Sequence, residues 1–286
     1  MKILVTGATG FIGKHIVQWL VNHGYNVIAT GTSIEKAKQM EWIDRVQFIP
    51  CDIFSIDIDG FHQLGEPELL IHCAWSGVYD DSVSQQFEIN LEGNIHFLSS
   101  FINSRCKKIV CLGSFKEYGD VSETKLHEGI YPCPNTPYGI VKDTIRKYLE
   151  LSCKDKLMNW NWVRLFHQIG DGQDKKSFQG QLEQAVKNKQ KSFPMSGGEQ
   201  IRDFLPVETA AEFICKISLQ DKINGVVNCC SGIPRTLEDY AQQYITDCNS
   251  PIILDLGAFP YRKNEPMKQW GDIKLLTQCI KEYDVI

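Results

Sequence analysis

Thr6-Gly7-Ala8-Thr9-Gly10-Phe11-Ile12-Gly13 follows a short apolar run, Lys2–Val5, and opens a stretch, Phe11–Asn22, with apolar residues at 12, 16, 19 and 20. That spacing is helical, so the three glycines stand between a strand and a helix. Glycines there let the backbone turn tightly and approach a pyrophosphate, and the third lets helix pack on strand. The helix N-terminus adds unpaired N–H groups and partial positive charge. The spacing is GxxGxxG rather than GxGxxG, and a tight turn without ligand is the plainer alternative. Gly7, Thr9, Gly10, Phe11, Ile12 and Gly13 are the expected phosphate-side residues of a dinucleotide site.

Outward from this loop the first half keeps alternating. Gly24 ends the first helix, and strands are expected at Tyr25–Ala29, Val46–Ile49, Leu69–Ala74, Lys108–Leu112 and Asn161–Leu165. Val83–Ser104 and Thr136–Leu151 between them are long enough for helices. The pattern predicts an α/β fold, a Rossmann-type doubly wound parallel sheet covered on both faces. After about residue 170 the rhythm breaks and prolines accumulate. We expect a dinucleotide-binding domain over 1–170, with part of 200–230 crossing back, and a smaller mixed α/β substrate domain over 171–286.

The composition removes other classes. Acidic residues number 35 against 30 basic, a net charge of −5, which leaves no overall basic field for a nucleic acid. Apolar runs such as Leu69-Leu70-Ile71 fall far short of the ~20 residues that span a bilayer. The start MKILVTG reads as strand and glycine rather than signal peptide, so a cytoplasmic chain is expected. The eleven cysteines include no CxxC pair; reduced structural thiols are expected, and no metal site.

Ala29-Thr30-Gly31-Thr32-Ser33 ends the second strand without the acid that usually binds the ribose 2′-OH of NAD; Glu35 comes later. Thr32, Ser33 and Lys36 could accept a 2′-phosphate, so NADP(H) is favoured and NAD(H) is the alternative. Lys36 and Lys38 would otherwise be a solvated helix face. Asp52 and Ile53 past the third strand and Ala74 past the fourth complete the expected cofactor set, with Asp52 near the adenine.

Tyr138-Gly139-Ile140-Val141-Lys142 places a phenol and an ammonium one helical turn apart, and Ser114 stands 24 residues earlier, just past a strand. A lysine beside a phenol favours tyrosinate and lowers its pKa. The tyrosine could then exchange a proton with a substrate oxygen while hydride moves at the adjacent carbon. Ser114 would hydrogen-bond that oxygen. An ordinary amphipathic helix with a surface lysine is the alternative.

These residues resemble the extended short-chain dehydrogenase/reductases, the NAD-dependent epimerase/dehydratase family of nucleotide-sugar enzymes. The resemblance also covers Asn90 in INLEGN, GSFKEYG around Ser114, VRLFHQIGDGQ at 163–173 and RDFLPVE at 202–208. FPMSGGEQIRDFLPVE, CCSG and LGAFPYRKNEPMKQWGD are similar to dTDP-4-dehydro-6-deoxyglucose reductases. The resemblance implies that Asn90 braces the strand beside the active site. It implies that Arg202 binds the sugar-nucleotide diphosphate, that Arg262 is a second phosphate ligand and that Glu265 is its structural partner. An ion pair of Arg202 with Asp203 or another acid is the alternative. Trp75 and Ser76 would line the sugar pocket, with Trp75 as a core residue the alternative, and Phe178 and Gln179, with Phe193, the base pocket. Two departures matter. The acid pair that dehydratases carry after the Ser/Thr position is here Phe115-Lys116, against dehydration. His167 replaces a usual asparagine and is expected as a wall residue, with a second acid/base role as the alternative.

The reaction expected is NADPH-dependent reduction of the C4 ketone of a nucleotide-linked 4-keto-6-deoxyhexose. A C4 epimerase with tightly held NAD is the runner-up, and a non-catalytic dinucleotide sensor the third reading. The helices at 83–104 and 136–151 imply, by the same resemblance, a homodimer.

Overall fold

The computed structural model describes residues 1–56, 59–121, 124–261 and 265–285. Strands β1 (Lys2–Thr6), β2 (Asn26–Gly31), β3 (Gln47–Pro50), β4 (Leu69–His72) and β5 (Lys108–Ser114) precede a short β6 (Thr124–Leu126). They are followed by β7 (Asn159–Leu165), β8 (His167–Ile169), β9 (Ser192–Pro194), β10 (Ile201–Pro206) and β11 (Gly225–Cys229). The last strands are β12 (Pro234–Thr236), β13 (Ile253–Asp255) and β14 (Gln269–Gly271). Seven of them form one parallel sheet in the order β11-β7-β5-β4-β1-β2-β3. Val5 faces Ala29 on one side and Ile71 on the other.

Alternation along β1 sends neighbouring side chains to opposite faces, and both faces are dry. Ile3 and Val5 pack with Ile16, Val17 and Leu20 of α1 (Gly13–Asn22). Leu4 packs on the other side with Phe97 and Phe101 of α4 (Glu92–Ile102) and with Val141 and Ile145 of α5 (Pro137–Lys156). Two four-residue helices, α2 (Ile34–Ala37) and α3 (Gly60–Gln63), complete the first half. The helix expected over Val83–Ser104 is two pieces, because Ser84–Leu91 is wound as a π-helix before α4 begins.

The later chain is shared between two cores. Ala210, Ala211 and Ile214 of α7 (Val207–Leu219), Cys229 of β11, and Leu276 and Cys279 of α9 (Lys274–Asp284) pack into the α1 face of the large sheet. A separate cluster joins Leu182 and Ala185 of α6 (Phe178–Lys187) to Phe193, Ala241 and Ile245, the last two on α8 (Leu237–Asp247). The small sheets β12-β10-β8 and β13-β9 are built mainly from this part of the chain, while β14 pairs with β6 of the first half.

All eleven cysteines are free and seven are buried. Among the described residues no helix is long and apolar enough to cross a membrane.

Candidate active site

The strand order reverses between β1 and β4, the place where a doubly wound sheet opens a crevice at its carboxyl ends. Thr6 closes the base of that crevice. Its Oγ1 accepts the Cys73 and Ala74 amides at 3.1 and 3.2 Å and lies 2.8 Å from His72 Nδ1. Burial pushes the His72 pKa down to about 4, so the ring is neutral, and its Nε2 meets Asn94 Oδ1 at 2.7 Å. The glycine loop lies directly on this base. Gly7 has φ +62°, and a Cβ on it would stand 2.9 Å from the Ala74 nitrogen. A Cβ on Gly13 would stand 2.2 Å from the Gly7 carbonyl oxygen. No side chain caps the first turn of α1, whose Lys14, His15 and Ile16 amides donate to the Gly10 and Ile12 carbonyls; the positive end of the helix dipole there favours an anion. A glycine cradle against an uncapped helix end fits a dinucleotide pyrophosphate, with Thr9 beside Gly31 at the mouth.

Ser33 caps α2 by accepting the Lys36 amide at 3.2 Å, and its hydroxyl donates to Glu35 at 3.0 Å. Backbone and Ser33 hydrogen bonds hold the Glu35 carboxyl below its usual range. The Glu35 that follows the hydroxyls in the sequence is thus an ionised acid held at Ser33, four residues past Gly31; Thr32 and Lys36 are exposed beside it. Asp52 folds back on its own turn, accepting from the Phe54 amide and the Ser55 hydroxyl, while Ile53 is buried in the core.

Ser114 is the last residue of β5 rather than a residue past it, and Tyr138 is the second residue of α5, behind Thr136, whose hydroxyl caps the helix through the Gly139 amide. Asp81, on the loop after β4, accepts the Tyr138 amide at 2.7 Å and ties that helix start to the crevice. The structure brings Ser114, Tyr138, Lys142 and Trp75 together. The Trp75 ring meets Tyr138 edge-on at 5.5 Å, and Lys142 Nζ sits 3.5 Å above the Trp75 ring while donating to the Leu112 carbonyl at 2.8 Å. Trp75 thus clamps the triplet. Asn90, from the π-helical turn, binds both the amide and the carbonyl of Ser76, so it braces the loop after β4.

The electrostatics reverse one expectation. Burial pushes the Tyr138 phenol well above its ordinary pKa, Glu117 adds to the rise, and the Ser114 hydroxyl opposes part of it. Lys142 does not bring the phenol down, because its ammonium lies 5.7 Å from the ring centroid and is itself desolvated, with a pKa lowered to about 8. The resting form is phenol, a proton donor.

Glu117 is the residue the sequence reading passed over. It completes a capping box with Ser114, and the S-x-x-E spacing was its signal. Asp81 had no local signal, standing 57 residues from the amide it binds.

On the substrate side, His167 packs against Phe115 at 4.7 Å and Phe204 at 5.9 Å. Burial, with Arg202 and Lys116 nearby, pushes its pKa down to about 3, which suits a neutral wall and not an acid/base group. Arg202 is buried and donates to Glu265 at 2.9 Å; Asp203 is occupied with Ser231, Gly232 and Gly271. Phe178 packs on Phe193, and buried Gln179 accepts from the Tyr240 hydroxyl, so both belong to the α6–α8 core. Arg262 lies outside the described residues.

The model of the NAD dependent epimerase/dehydratase family matches residues 3–230. The chain belongs to that family. Two curated family-type relatives come from Aggregatibacter actinomycetemcomitans. A dTDP-6-deoxy-L-talose 4-dehydrogenase (NAD(+)) is 27% identical over 274 residues, 95% of this chain and 99% of that protein. A GDP-6-deoxy-D-talose 4-dehydrogenase is 25% identical, covering 82% of this chain and 75% of that protein. Among solved structures, the UDP-glucuronic acid 4-epimerase of Bacillus cereus, in complex with UDP-glucuronic acid and NAD, superposes with a TM-score of 0.85. It is 23% identical and the match covers 99% of this chain and 93% of that one. These epimerase/dehydratase-family proteins are 4-dehydrogenases and 4-epimerases, a broader class than the reductases that the sequence stretches resembled.

Proposed function

We propose that this epimerase/dehydratase-family chain is a nicotinamide-dependent 4-ketoreductase, acting on a nucleotide-linked 4-keto-6-deoxyhexose such as dTDP-4-dehydro-6-deoxyglucose. The observation that carries the reading is that Ser114, Tyr138 and Lys142 converge beside Trp75 at the switch-point crevice, where burial favours the protonated phenol. Oxidation at C4 of a dTDP-6-deoxyhexose, the activity in one relative's name, and reduction of the 4-ketone are two directions of one reaction. A nicotinamide cofactor held in the crevice would supply the hydride. Tyr138 gives its proton to the developing alkoxide, Ser114 hydrogen-bonds that oxygen, and Lys142 provides positive charge behind the phenol. Gly7, Gly10 and Gly13 would hold the pyrophosphate. Arg202 would meet the sugar diphosphate, sharing its guanidinium with Glu265. Exposed Ile89 and Leu151, on the two helices expected at an interface, support a homodimer. The test is nicotinamide absorbance with this keto sugar; no oxidation by the purified protein would overturn the reading.

A C4 epimerase is the second reading, favoured by the 4-epimerase among the structural neighbours. It would carry NAD through purification and show no net absorbance change.

The cofactor preference we propose is NAD(H) over NADP(H), because a 2′-phosphate would face the Glu35 carboxylate at Ser33. Glu35→Ser is expected to raise the NADPH/NADH ratio of kcat/KM by roughly tenfold, the worth of one relieved like-charge contact. An unchanged ratio would place the discrimination elsewhere.

A pH dependence also follows. The folded pKa of Lys142 lies below its ordinary value, at about 8, so raising the pH through that point removes the ammonium while Tyr138 stays protonated. The kcat/KM profile is expected to be level below pH 8 and to fall about tenfold per unit above it. A level profile to pH 10 would show that the Lys142 charge is not needed.

A further inference from the structure

Glu117 is fully buried, one residue before Tyr118 and directly beneath the end of β5. Its Oε1 accepts the Ser114 amide at 2.7 Å and the Trp162 indole N–H at 2.8 Å, and its Oε2 accepts Arg164 Nε at 2.7 Å. Gly113 leaves the room for this: a Cβ there would stand 2.0 Å from Trp162 Nε1 and 2.6 Å from Glu117 Oε1. Arg164 is equally buried, with its guanidinium 4.4 Å from the Tyr118 ring centroid. A buried ion pair is often replaceable by apolar groups at no loss of stability, so this one invites a role beyond holding the fold.

We propose that Glu117 is a positioning residue for the reaction read above, setting Ser114 through its amide and holding its carboxylate on the Trp162 indole, whose ring lies 6.0 Å from Lys142 Nζ. The proposal rests on that reading of the triplet. The groups that face Lys142 are Glu117, the thiols of Cys73 and Cys111, and the neutral His72; among the described residues Glu117 is the carboxylate that acts on it. Glu117, Asp81, Tyr79 and Ser114 act on Tyr138, and Lys116 Nζ lies 5.4 Å from its ring centroid. Removing the Glu117 charge leaves Arg164 uncompensated, which makes the Lys142 proton easier to lose.

The experiment compares the full chain with Glu117→Gln and Glu117→Asp, by steady-state kinetics against pH and by the 15N NMR titration of the Lys142 ammonium, assigned through its loss in Lys142→Arg. Glu117→Gln is expected to lower kcat about tenfold with KM little changed, and to move the alkaline limb and the Lys142 midpoint down by about one pH unit. Glu117→Asp, with the charge kept, is expected to hold both midpoints near those of the parent. An unmoved midpoint in folded Glu117→Gln would overturn the proposal and leave a structural pair. Should that variant fail to fold, Arg164→Gln leaves the Glu117 carboxylate uncompensated and is expected to move both midpoints up, with unmoved midpoints overturning the proposal. Absence of turnover in the parent would instead sink the ketoreductase reading, and the Lys142 titration would still decide the role of Glu117.

Discussion

Tyr138→Phe is expected to lower turnover by about a thousandfold, the middle of the range for a positioned general acid. The change removes one oxygen and leaves the scaffold in place. Asp81 binds the backbone amide of residue 138, not its side chain, so the start of α5 is retained. The edge-on ring contact with Trp75 also needs no hydroxyl. Cofactor affinity is therefore expected to stay within about twofold, because the loss falls on a proton transfer made in the transition state and not on ground-state binding. A thousandfold corresponds to about 4 kcal/mol of barrier, more than a lost neutral hydrogen bond contributes to stability. A drop of less than tenfold would mean that another group protonates the product oxygen. His167, near the same pocket, is a poor substitute, since its burial with Arg202 and Lys116 keeps it neutral and unwilling to hold a second proton.

The large sheet was legible because its central strands are apolar on both faces. Ile3, Leu4 and Val5 are all buried, and no alternation had to be found to see the strand. Ser114, Tyr138 and Lys142 were legible for a different reason: a four-residue helical spacing and a strand end are local features that a chain can be scanned for. What escaped reading is tertiary. Glu265 meets Arg202 across 63 residues, and Arg164 meets Glu117 across 47. Neither partner can be picked from the many acids and bases available along the chain. The C-terminal helix is a similar case. Leu276 and Cys279 reach back to the large sheet, although nothing in their spacing separates that core from the one around α6 and α8. The direction of the Tyr138 shift was missed because it depends on desolvation, a property of everything that surrounds the phenol. Sequence proximity of a lysine says little about the distance from its ammonium to the phenol. Here the ammonium is drawn aside to Trp75 and the Leu112 carbonyl.

Gly13→Ala tests the cradle itself, and the expected loss is of binding and not of chemistry. A methyl group there would lie 2.2 Å from the Gly7 oxygen and 2.9 Å from its carbonyl carbon, both backbone atoms that no rotamer change can move. The loop must open or α1 must shift away from β1. Either movement spoils the approach that Gly7, pressed against Ala74, gives to a pyrophosphate. Overpacking of this kind costs about 1–3 kcal/mol of stability, which a chain of this size can survive. The cofactor supplies the sharper readout. At a concentration of a hundred times Kd, a ligand stabilises the native state by about 2.7 kcal/mol, roughly 5 °C in Tm for a chain of this size. That cofactor-dependent shift is expected in the parent and should vanish in Gly13→Ala, a loss of about a hundredfold or more in affinity. Gly10→Ala sets the scale, since its methyl would meet the Gly7 oxygen at 3.1 Å, a contact that a few tenths of an ångström relieve. Part of the shift should survive there. Equal shifts in parent and Gly13→Ala would mean that the cofactor is held without the close approach of the glycine loop, and the pyrophosphate would have to be placed elsewhere.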